Sequence, residues 1–217
     1  MPFTTLFCDL DDTLYPPTSG LWDVIGERIT VFMAERLKLP QEEICILRER
    51  YYHAYGSTLR GLQEHHGVDD RDYLTYVHDV PLADFIAPDP NLRQMLLQYP
   101  QRRVIFTNAD RYHANRVLNV LQLTDCFEQI IDIYATTPYC KPQPEAYRIA
   151  LEQAGGLDPR GCVLVDDKLI NLAVARELGF YTVWVGGDNG TNPDCHASIA
   201  CIAELPAVLD PKLERWG

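Results

Sequence analysis

The pattern of apolar residues changes twice along the chain, and these changes restrict the possible folds more than any other feature. A short apolar, β-prone run from Phe3 to Cys8 is followed over residues 16–99 by helical spacing, as in Trp22, Ile25 and Ile29. Beyond residue 100, β-prone runs alternate with helical segments. This alternation predicts a parallel sheet with helices on both faces, and the helical block between the first two strands predicts an inserted subdomain.

The second half of the chain supplies the remaining predicted elements. The predicted strands are 103–107, 129–134, 162–166 and 181–185, and the predicted helices are 114–121, 144–154 and 172–178. Gly155 and Gly179 follow the last two helices, as is typical of helix ends. We therefore expect an α/β core made of residues 1–15 and 96–217, with an all-helical subdomain over residues 16–95.

Composition excludes several classes of partner. The chain has 217 residues and a net charge of −12, from 19 basic and 31 acidic side chains, so no general field attracts a nucleic-acid polymer or an anionic membrane. No segment approaches the roughly 20 apolar residues that cross a bilayer. The seven cysteines include no CxxC pair, which predicts buried free thiols in a reducing compartment. We expect a cytoplasmic protein without a membrane or nucleic-acid partner.

Polar side chains follow the carboxyl ends of the predicted strands, where parallel sheets bind ligands. They are Asp9, Asp11, Thr13, Thr107, Asn108, Lys141, Asp166 and Asp167. Acidic residues directly after an apolar strand are costly unless a cation or donors balance them, and the pattern occurs twice. Carboxylates suit Mg²⁺ and can act as nucleophiles, while hydroxyls, amides and a lysine offset phosphoryl charge. The sequence predicts a phosphoryl-transfer site; Asp12 is expected to be a solvated neighbour.

Four ordered motifs resemble those of one superfamily. The sequence DLDDT from Asp9 matches the DxDxT signature of the haloacid dehalogenase-like (HAD) superfamily, and IFTN, ending at Asn108, is similar to its second motif. The pair Lys141-Pro142 is similar to the third motif, and VDD at 165–167 with Asn171 to the fourth. The resemblance covers nearly the whole chain. It implies a Rossmann-like parallel sheet with an inserted helical cap.

The resemblance also implies roles for the acidic residues. Asp9 would be the nucleophile that forms an aspartyl-phosphate and would also ligate Mg²⁺. Asp11 would be the general acid and then the general base, and would offer its backbone carbonyl to the metal. Asp166 would ligate Mg²⁺ directly and Asp167 through a water, with Asn171 supporting them.

Other residues are implied to hold the phosphate. Thr107 and the amide of Asn108 would bind phosphoryl oxygens, and Thr13 would belong to the same phosphate site. Lys141 would neutralise both the nucleophile and the transferring group. His113, just after the second motif, is expected on a helix surface.

The cap segment from Tyr51 to Leu62 is aromatic and contains one arginine. Tyr52 and Tyr55 can stack on a planar base and Arg60 can pair with carbonyl or phosphate oxygens, although tyrosines at helical spacing are as often core residues. The segment resembles the cap of the pyrimidine 5′-nucleotidase branch, which removes phosphate from UMP and CMP. This implies a small phosphorylated metabolite as partner, a nucleoside monophosphate, and a monomer or homodimer.

Alternatives remain open at this point. A phosphosugar phosphatase or mutase would carry the same motifs, and related caps serve other phosphomonoesters such as lysophosphatidate. A haloacid dehalogenase needs no acid at Asp11 and no Mg²⁺ cluster. A phospho-aspartate receiver domain places its acidic pair before its lysine, whereas Asp166 and Asp167 follow Lys141. A silent binding protein would be expected to lack Asp9 or Asp11.

Overall fold

The core of the protein is a single parallel sheet. A computed structural model describes residues 3–187 and 192–213 of the chain. The strands are β1 (Thr5–Cys8), β2 (Arg102–Phe106), β3 (Gln129–Ile131), β4 (Cys162–Asp166), β5 (Tyr181–Val185) and β6 (Ala197–Ile199). They lie in the order β3-β2-β1-β4-β5-β6, and every neighbouring pair is parallel. The predicted α/β class is confirmed.

Helices connect the strands, and several of them lie in the chain between β1 and β2. They are α1 (Leu21–Glu35), α2 (Gln41–Tyr55), α3 (Thr58–His66), α4 (Asp70–Val77), α5 (Pro90–Gln98), α6 (Arg111–Leu121), α7 (Pro144–Gln153), α8 (Leu169–Leu178) and α9 (Leu205–Leu213). We refer to α1–α4 as the helical subdomain. The expected boundary at residues 95–96 falls inside α5, which contacts segments 124–126 and 202–204. Residues 1–2, 188–191 and 214–217 of the expected core lie outside the described residues.

Several elements differ from the sequence-based prediction, among them β3, β6 and helix α9, which was not predicted. Strand β3 ends at Ile131, although a strand to residue 134 was expected. The chain turns there because the Asp132 carboxylate accepts hydrogen bonds from the backbone N–H groups of Arg111 (2.9 Å) and Ala135 (3.0 Å). Strand β6 was not predicted, since it has only three residues and no apolar run of its own.

Both faces of the sheet are buried, which explains why most strand residues are apolar. Successive side chains of a strand point to opposite faces. On β1, Phe7 packs in the cluster that includes α7 and α8, whereas Leu6 and Cys8 pack in the cluster that includes α5, α6 and the helical subdomain. The continuous apolar strands are therefore those of a sheet covered by helices on both sides.

Strand register brings the two acidic motifs to one edge of the sheet. Cys8, the last residue of β1, is level with Ile105 on β2 and Val165 on β4. The backbone N–H of Asp9 donates to the carbonyl of Val165 over 2.8 Å. Asp9 and Asp166 therefore leave adjacent strands at the same height.

Two findings bear on the expected cellular location. All seven cysteines are free thiols, but Cys45 and Cys201 are exposed, so the expectation of burial is wrong for these two. Cys45 lies on α2, opposite the buried face of that helix. Within residues 3–187 and 192–213, no helix has the length and apolar character needed to cross a bilayer.

Close packing of α2 on α3 depends on one glycine. A Cβ at Gly61 would lie 2.2 Å from the Cγ of buried Tyr51. We expect Gly61→Ala to lower the free energy of unfolding by about 1–3 kcal/mol, because overpacking outweighs the better helix propensity of alanine. Urea denaturation measures the difference.

Gly26→Ala is the matched control for this prediction. The nearest atom to a Cβ at Gly26, in the middle of α1, is the movable end of Arg48 at 3.2 Å. We expect this variant to be at least as stable as the wild type, since alanine stabilises a helix by about 1 kcal/mol relative to glycine. Equal stabilities for the two variants would contradict the packing role of Gly61.

Candidate active site

Three carboxylates form a cluster at the carboxyl ends of β1 and β4. Asp9 follows β1, Asp166 ends β4 and Asp167 comes next in the chain. One oxygen from each lies within 4.8 Å of the others, and Asp9 and Asp166 are buried. The structure thus brings together three of the four predicted metal ligands. The fourth, Asp11, stays a prediction, because it would ligate through its backbone carbonyl; its side chain makes the contacts described below.

Lys141 links two of these carboxylates. Its Nζ lies 2.9 Å from Asp9 Oδ1 and 2.7 Å from Asp166 Oδ2, and the side chain is 1 % exposed. Burial alone would lower the pKa of Lys141, but Asp166 and Asp9 outweigh that effect and raise it above its usual range. Lys141 is therefore a permanent cation inside the cluster.

Asn108 fixes the loop that carries Lys141. Its side-chain Nδ2 donates to the Lys141 carbonyl (2.8 Å), and its Oδ1 accepts from the Lys141 backbone N–H (2.9 Å). The sequence interpretation gave only the backbone amide of Asn108 a role. The side chain holds a lysine 33 positions away, a pairing that no local pattern reveals.

Asp166 is held in place from the start of α8. Asn171 Nδ2 lies 3.0 and 3.1 Å from its two oxygens, and the Lys168 backbone N–H donates to Oδ1 over 2.8 Å. These donors fix the orientation of the Asp166 carboxylate. The implied supporting role of Asn171 is consistent with this geometry.

The cluster contains more acidic than basic groups. Burial raises the pKa of Asp9 well above its usual range, with Lys141 opposing and Asp166 and Asp167 adding to the rise. Burial and Asp166 also raise the pKa of Asp167, although Lys168 lies 2.6 Å from it. Three carboxylates thus share two ammonium groups. A set of hard oxygen donors with surplus negative charge is what Mg²⁺ requires, so these residues fit that ion.

Asp11 is held by two donors on one oxygen. The Tyr15 hydroxyl donates to Oδ1 over 2.6 Å, and His113 Nε2 lies 2.9 Å from the same atom. Burial raises the pKa of Asp11, but His113 and the hydrogen bonds from His113 and Tyr15 outweigh it, so that the pKa is lowered.

The expected surface position of His113 is wrong, because the residue is completely buried. Helix α6 turns His113, Val117 and Leu121 toward the core, and these residues are spaced by four. That spacing is visible in the sequence and could have identified His113 as a buried residue.

Thr107 and Asp12 also line the site. Thr107, directly after β2, is buried, and its Oγ1 accepts from the Ala109 backbone N–H over 3.0 Å. Asp12 was expected to be solvated, but it is 6 % exposed and adopts a left-handed backbone conformation with φ of 57°. Burial raises the pKa of Asp12 to about 6. Thr13 is buried nearby, and its Oγ1 has no hydrogen-bond partner within the described parts of the chain.

A cavity of about 160 Å³ separates the sheet edge from the helical subdomain. On the sheet side it is lined mainly by polar residues, namely Asp9, Asp11, Asp12, Thr107, Asn108, Lys141, Asp167, Lys168 and Asn171. On the subdomain side it is lined by Trp22, Ile25, Ile29, Tyr52, Ser57, Thr58, Leu59, Tyr73, Leu74 and Val77. A bound molecule therefore meets charge at one end and mostly apolar surface at the other.

Thr13 lies outside this cavity lining, and so do two expected substrate contacts from the helical subdomain. The Arg60 guanidinium donates to the Ile133 carbonyl (3.1 Å) and to Thr137 Oγ1 (3.0 Å), and so joins α3 to the segment before Lys141. The Tyr55 hydroxyl pairs with His65 over 2.8 Å. Of the three subdomain residues expected to contact substrate, only Tyr52 lines the cavity. Both side chains are engaged by neighbouring elements, and substrate contact by Arg60 or Tyr55 stays a prediction.

Comparisons with known proteins agree with this geometry. Residues 3–179 match the family model described as haloacid dehalogenase-like hydrolase. The chain is 28% identical over 187 residues to Phosphate metabolism protein 8 of Saccharomyces cerevisiae, covering 80% of this chain and 58% of the yeast protein. The chain thus spans little more than half the length of this curated relative.

Solved structures share the fold over almost the whole chain. A magnesium-bound HAD hydrolase, YfnB from Bacillus subtilis, matches with a TM-score of 0.65 at 16% identity, covering 97% of this chain and 100% of its own. A HAD phosphatase from Thermococcus onnurineus matches with a TM-score of 0.62 at 19% identity, covering 95% and 98%. A 2-haloacid dehalogenase from Pseudomonas syringae gives 0.60 at 22% identity, covering 99% and 100%. With its ordered motifs gathered at one sheet edge and its family match over residues 3–179, this chain belongs to the haloacid dehalogenase-like hydrolases.

Proposed function

We propose that this protein is a Mg²⁺-dependent phosphomonoesterase that works through an aspartyl-phosphate on Asp9. The observation that carries the proposal is the placement of Asp9 in the cavity, 2.9 Å from Lys141 and beside two further carboxylates. Similarity to a yeast protein named for phosphate metabolism supports a phosphate ester as substrate. We propose further that the protein is a cytoplasmic monomer or homodimer that acts on a small metabolite.

The chain's own residues account for both half-reactions. An Asp9 oxygen attacks phosphorus, the bond from phosphorus to the leaving oxygen breaks, and that oxygen takes a proton from Asp11. Water then attacks the phosphorus, gives its proton to Asp11, and the bond to Asp9 breaks to release phosphate. Lys141, with Thr107 and the amide of Asn108, offsets the charge on the phosphoryl oxygens.

Asp9, Asp166 and Asp167 are the residues that would hold Mg²⁺. When bound, the ion would neutralise charge on the phosphoryl oxygens and on the cluster. Lys141 supplies part of that neutralisation by itself, because its ammonium group lies between Asp9 and Asp166.

Removal of the metal tests this proposal. We expect EDTA to lower phosphate release at least about 10²-fold, because the ion supplies several kcal/mol of transition-state stabilisation. Excess Mg²⁺ should restore the rate, whereas Ca²⁺, which takes more ligands in looser geometry, should not. Full activity after dialysis against EDTA would contradict a metal-dependent mechanism.

For the substrate, we propose pyrimidine nucleoside 5′-monophosphates. The cavity lining includes the aromatic residues Trp22, Tyr52 and Tyr73, whose rings would stack on a base, and Ser57 and Thr58, whose hydroxyls would make polar contacts. The absence of Arg60 from the lining leaves fewer groups for reading a base than expected. A substrate with an apolar body, such as lysophosphatidate, is the second candidate, because aliphatic side chains line much of the subdomain side.

A substrate panel discriminates these possibilities. Phosphate release would be measured with UMP, CMP, AMP, a hexose phosphate and lysophosphatidate, and chloride release with 2-chloropropionate. We expect kcat/KM to be highest for UMP and CMP. A preference for lysophosphatidate would favour the second candidate, transfer of phosphate to a sugar hydroxyl would indicate a mutase, and chloride release would contradict a phosphatase.

A further inference from the structure

The two oxygens of Asp11 have different surroundings. Oδ1 accepts from the Tyr15 hydroxyl (2.6 Å) and faces His113 Nε2 (2.9 Å). None of the hydrogen bonds among residues 3–187 and 192–213 reaches Oδ2. Because Asp11 lines the cavity and Oδ1 is occupied by two donors, Oδ2 is the oxygen left to exchange a proton with a bound molecule.

His113 is arranged to donate rather than to accept. Its Nδ1 is buried without a hydrogen-bond partner in the described ranges, while its Nε2 faces a carboxylate oxygen. A carboxylate oxygen can only accept a hydrogen bond, so the proton belongs on Nε2, whereas a proton on Nδ1 would have no acceptor. We assign the Nε2–H tautomer on this basis, with the hydrogen bond running from His113 to Asp11.

A second histidine holds the His113 ring in place. His78, which leads out of α4, stacks on it with ring centroids 4.0 Å apart and planes 21° apart. His78 Nδ1 lies 2.7 Å from Asp110 Oδ2, and the other oxygen of Asp110 accepts from the His113 backbone N–H over 2.9 Å. Arg116 donates to the His78 carbonyl over 2.7 Å. The imidazole of His113 is thus held on one face by His78 and at Nε2 by Asp11, and its backbone is held by Asp110.

We propose that His113, together with Tyr15, is a positioning residue that holds Asp11 with Oδ2 directed to the leaving oxygen. This inference rests on the proposed phosphatase function and adds to it a residue outside the four motifs. His113 acts through Asp11 and does not touch the substrate. Its loss therefore affects protonation of the leaving group rather than phosphate binding.

The test compares two substrates of nearly the same shape, phenyl phosphate and p-nitrophenyl phosphate. Phenolate is the more basic leaving group and needs the proton from Asp11, whereas p-nitrophenolate leaves without it. The ratio kcat/KM reports the steps through departure of the leaving group. We expect His113→Leu to lower kcat/KM for phenyl phosphate on the order of 10²-fold, the effect of misplacing a catalytic group. The loss for p-nitrophenyl phosphate should be at least about tenfold smaller.

His113→Gln is the rescue variant, because its amide can donate from a position close to that of Nε2. We expect it to recover most of the lost activity toward phenyl phosphate. Equal losses for both substrates, or no loss in His113→Leu, would overturn the proposal, since a general packing defect lowers both rates together.

Tyr15→Phe is the second test and decides the question if His113→Leu does not fold. It removes only the hydroxyl that donates to Oδ1, and we expect the same selective loss for phenyl phosphate. Tyr112→Phe, at a tyrosine of α6 that is 70% exposed, is the matched control and should not change the ratio. A wild-type protein that hydrolyses neither ester would contradict the proposed function itself, whereas an active wild type with unselective variants would contradict only the role of His113.

Discussion

Replacing Asp9 by asparagine is expected to abolish phosphate release without unfolding the protein. An amide is nearly the same size as the carboxylate but cannot form the acyl-phosphate bond, so the loss should be on the order of 10⁶-fold, as for removal of nucleophiles elsewhere. Lys141 keeps its contact with Asp166 at 2.7 Å, which limits the effect on stability. A steady-state assay with saturating Mg²⁺ measures the change.

The control for this variant is Asp79→Asn, which makes the same chemical change at a side chain that is 83% exposed. It should leave turnover unchanged. Turnover near the wild-type rate in Asp9→Asn would exclude Asp9 as the covalent centre, even if the chain proved to be a phosphatase.

Replacing Asp11 by asparagine is expected to separate chemistry from binding. The amide oxygen can still accept from Tyr15 and His113, so the side chain should remain in place. What is lost is the acid and base, which contributes about 10²–10⁴-fold to turnover. We expect kcat to fall by this factor while substrate affinity changes little.

A trapped intermediate gives this prediction a second measurement. With p-nitrophenyl phosphate, Asp11→Asn should still form the aspartyl-phosphate but hydrolyse it slowly, since no base activates the water. The phosphorylated chain would then accumulate and be detectable by mass spectrometry after acid quenching. Absence of the phosphorylated form, or only a small loss of turnover, would mean that Asp11 has another role.

The strands and the position of the acidic motifs could be predicted from the sequence for a physical reason. A strand buried on both faces is apolar throughout, so Thr5–Cys8 and Cys162–Asp166 are recognisable from composition alone. Parallel strands bring their carboxyl ends to one edge of the sheet, and this rule alone predicts that Asp9 lies near Asp166. Strand β6 was not predicted because three residues are too few to show a period in hydrophobicity.

Side-chain contacts between residues far apart in the chain could not be predicted from the sequence. Asp11 and His113 are separated by 102 positions, and Arg60 and Thr137 by 77. Asp12 was expected in solvent because aspartate is common in turns, but it is buried and lines the cavity. In each of these cases, the surroundings of the side chain come from another secondary-structure element.

The sequence by itself determined the sheet, the inserted helices and the gathering of acidic residues at one sheet edge. These follow from hydrophobic periodicity, which is a local property, and from the alternation of strands and helices, which implies parallel strands. Only the tertiary structure decided that Lys141 joins Asp9 to Asp166, that His113 holds Asp11, and which subdomain side chains face the cavity. Those outcomes depend on how helices pack against the strand ends, and packing is set by the whole chain at once.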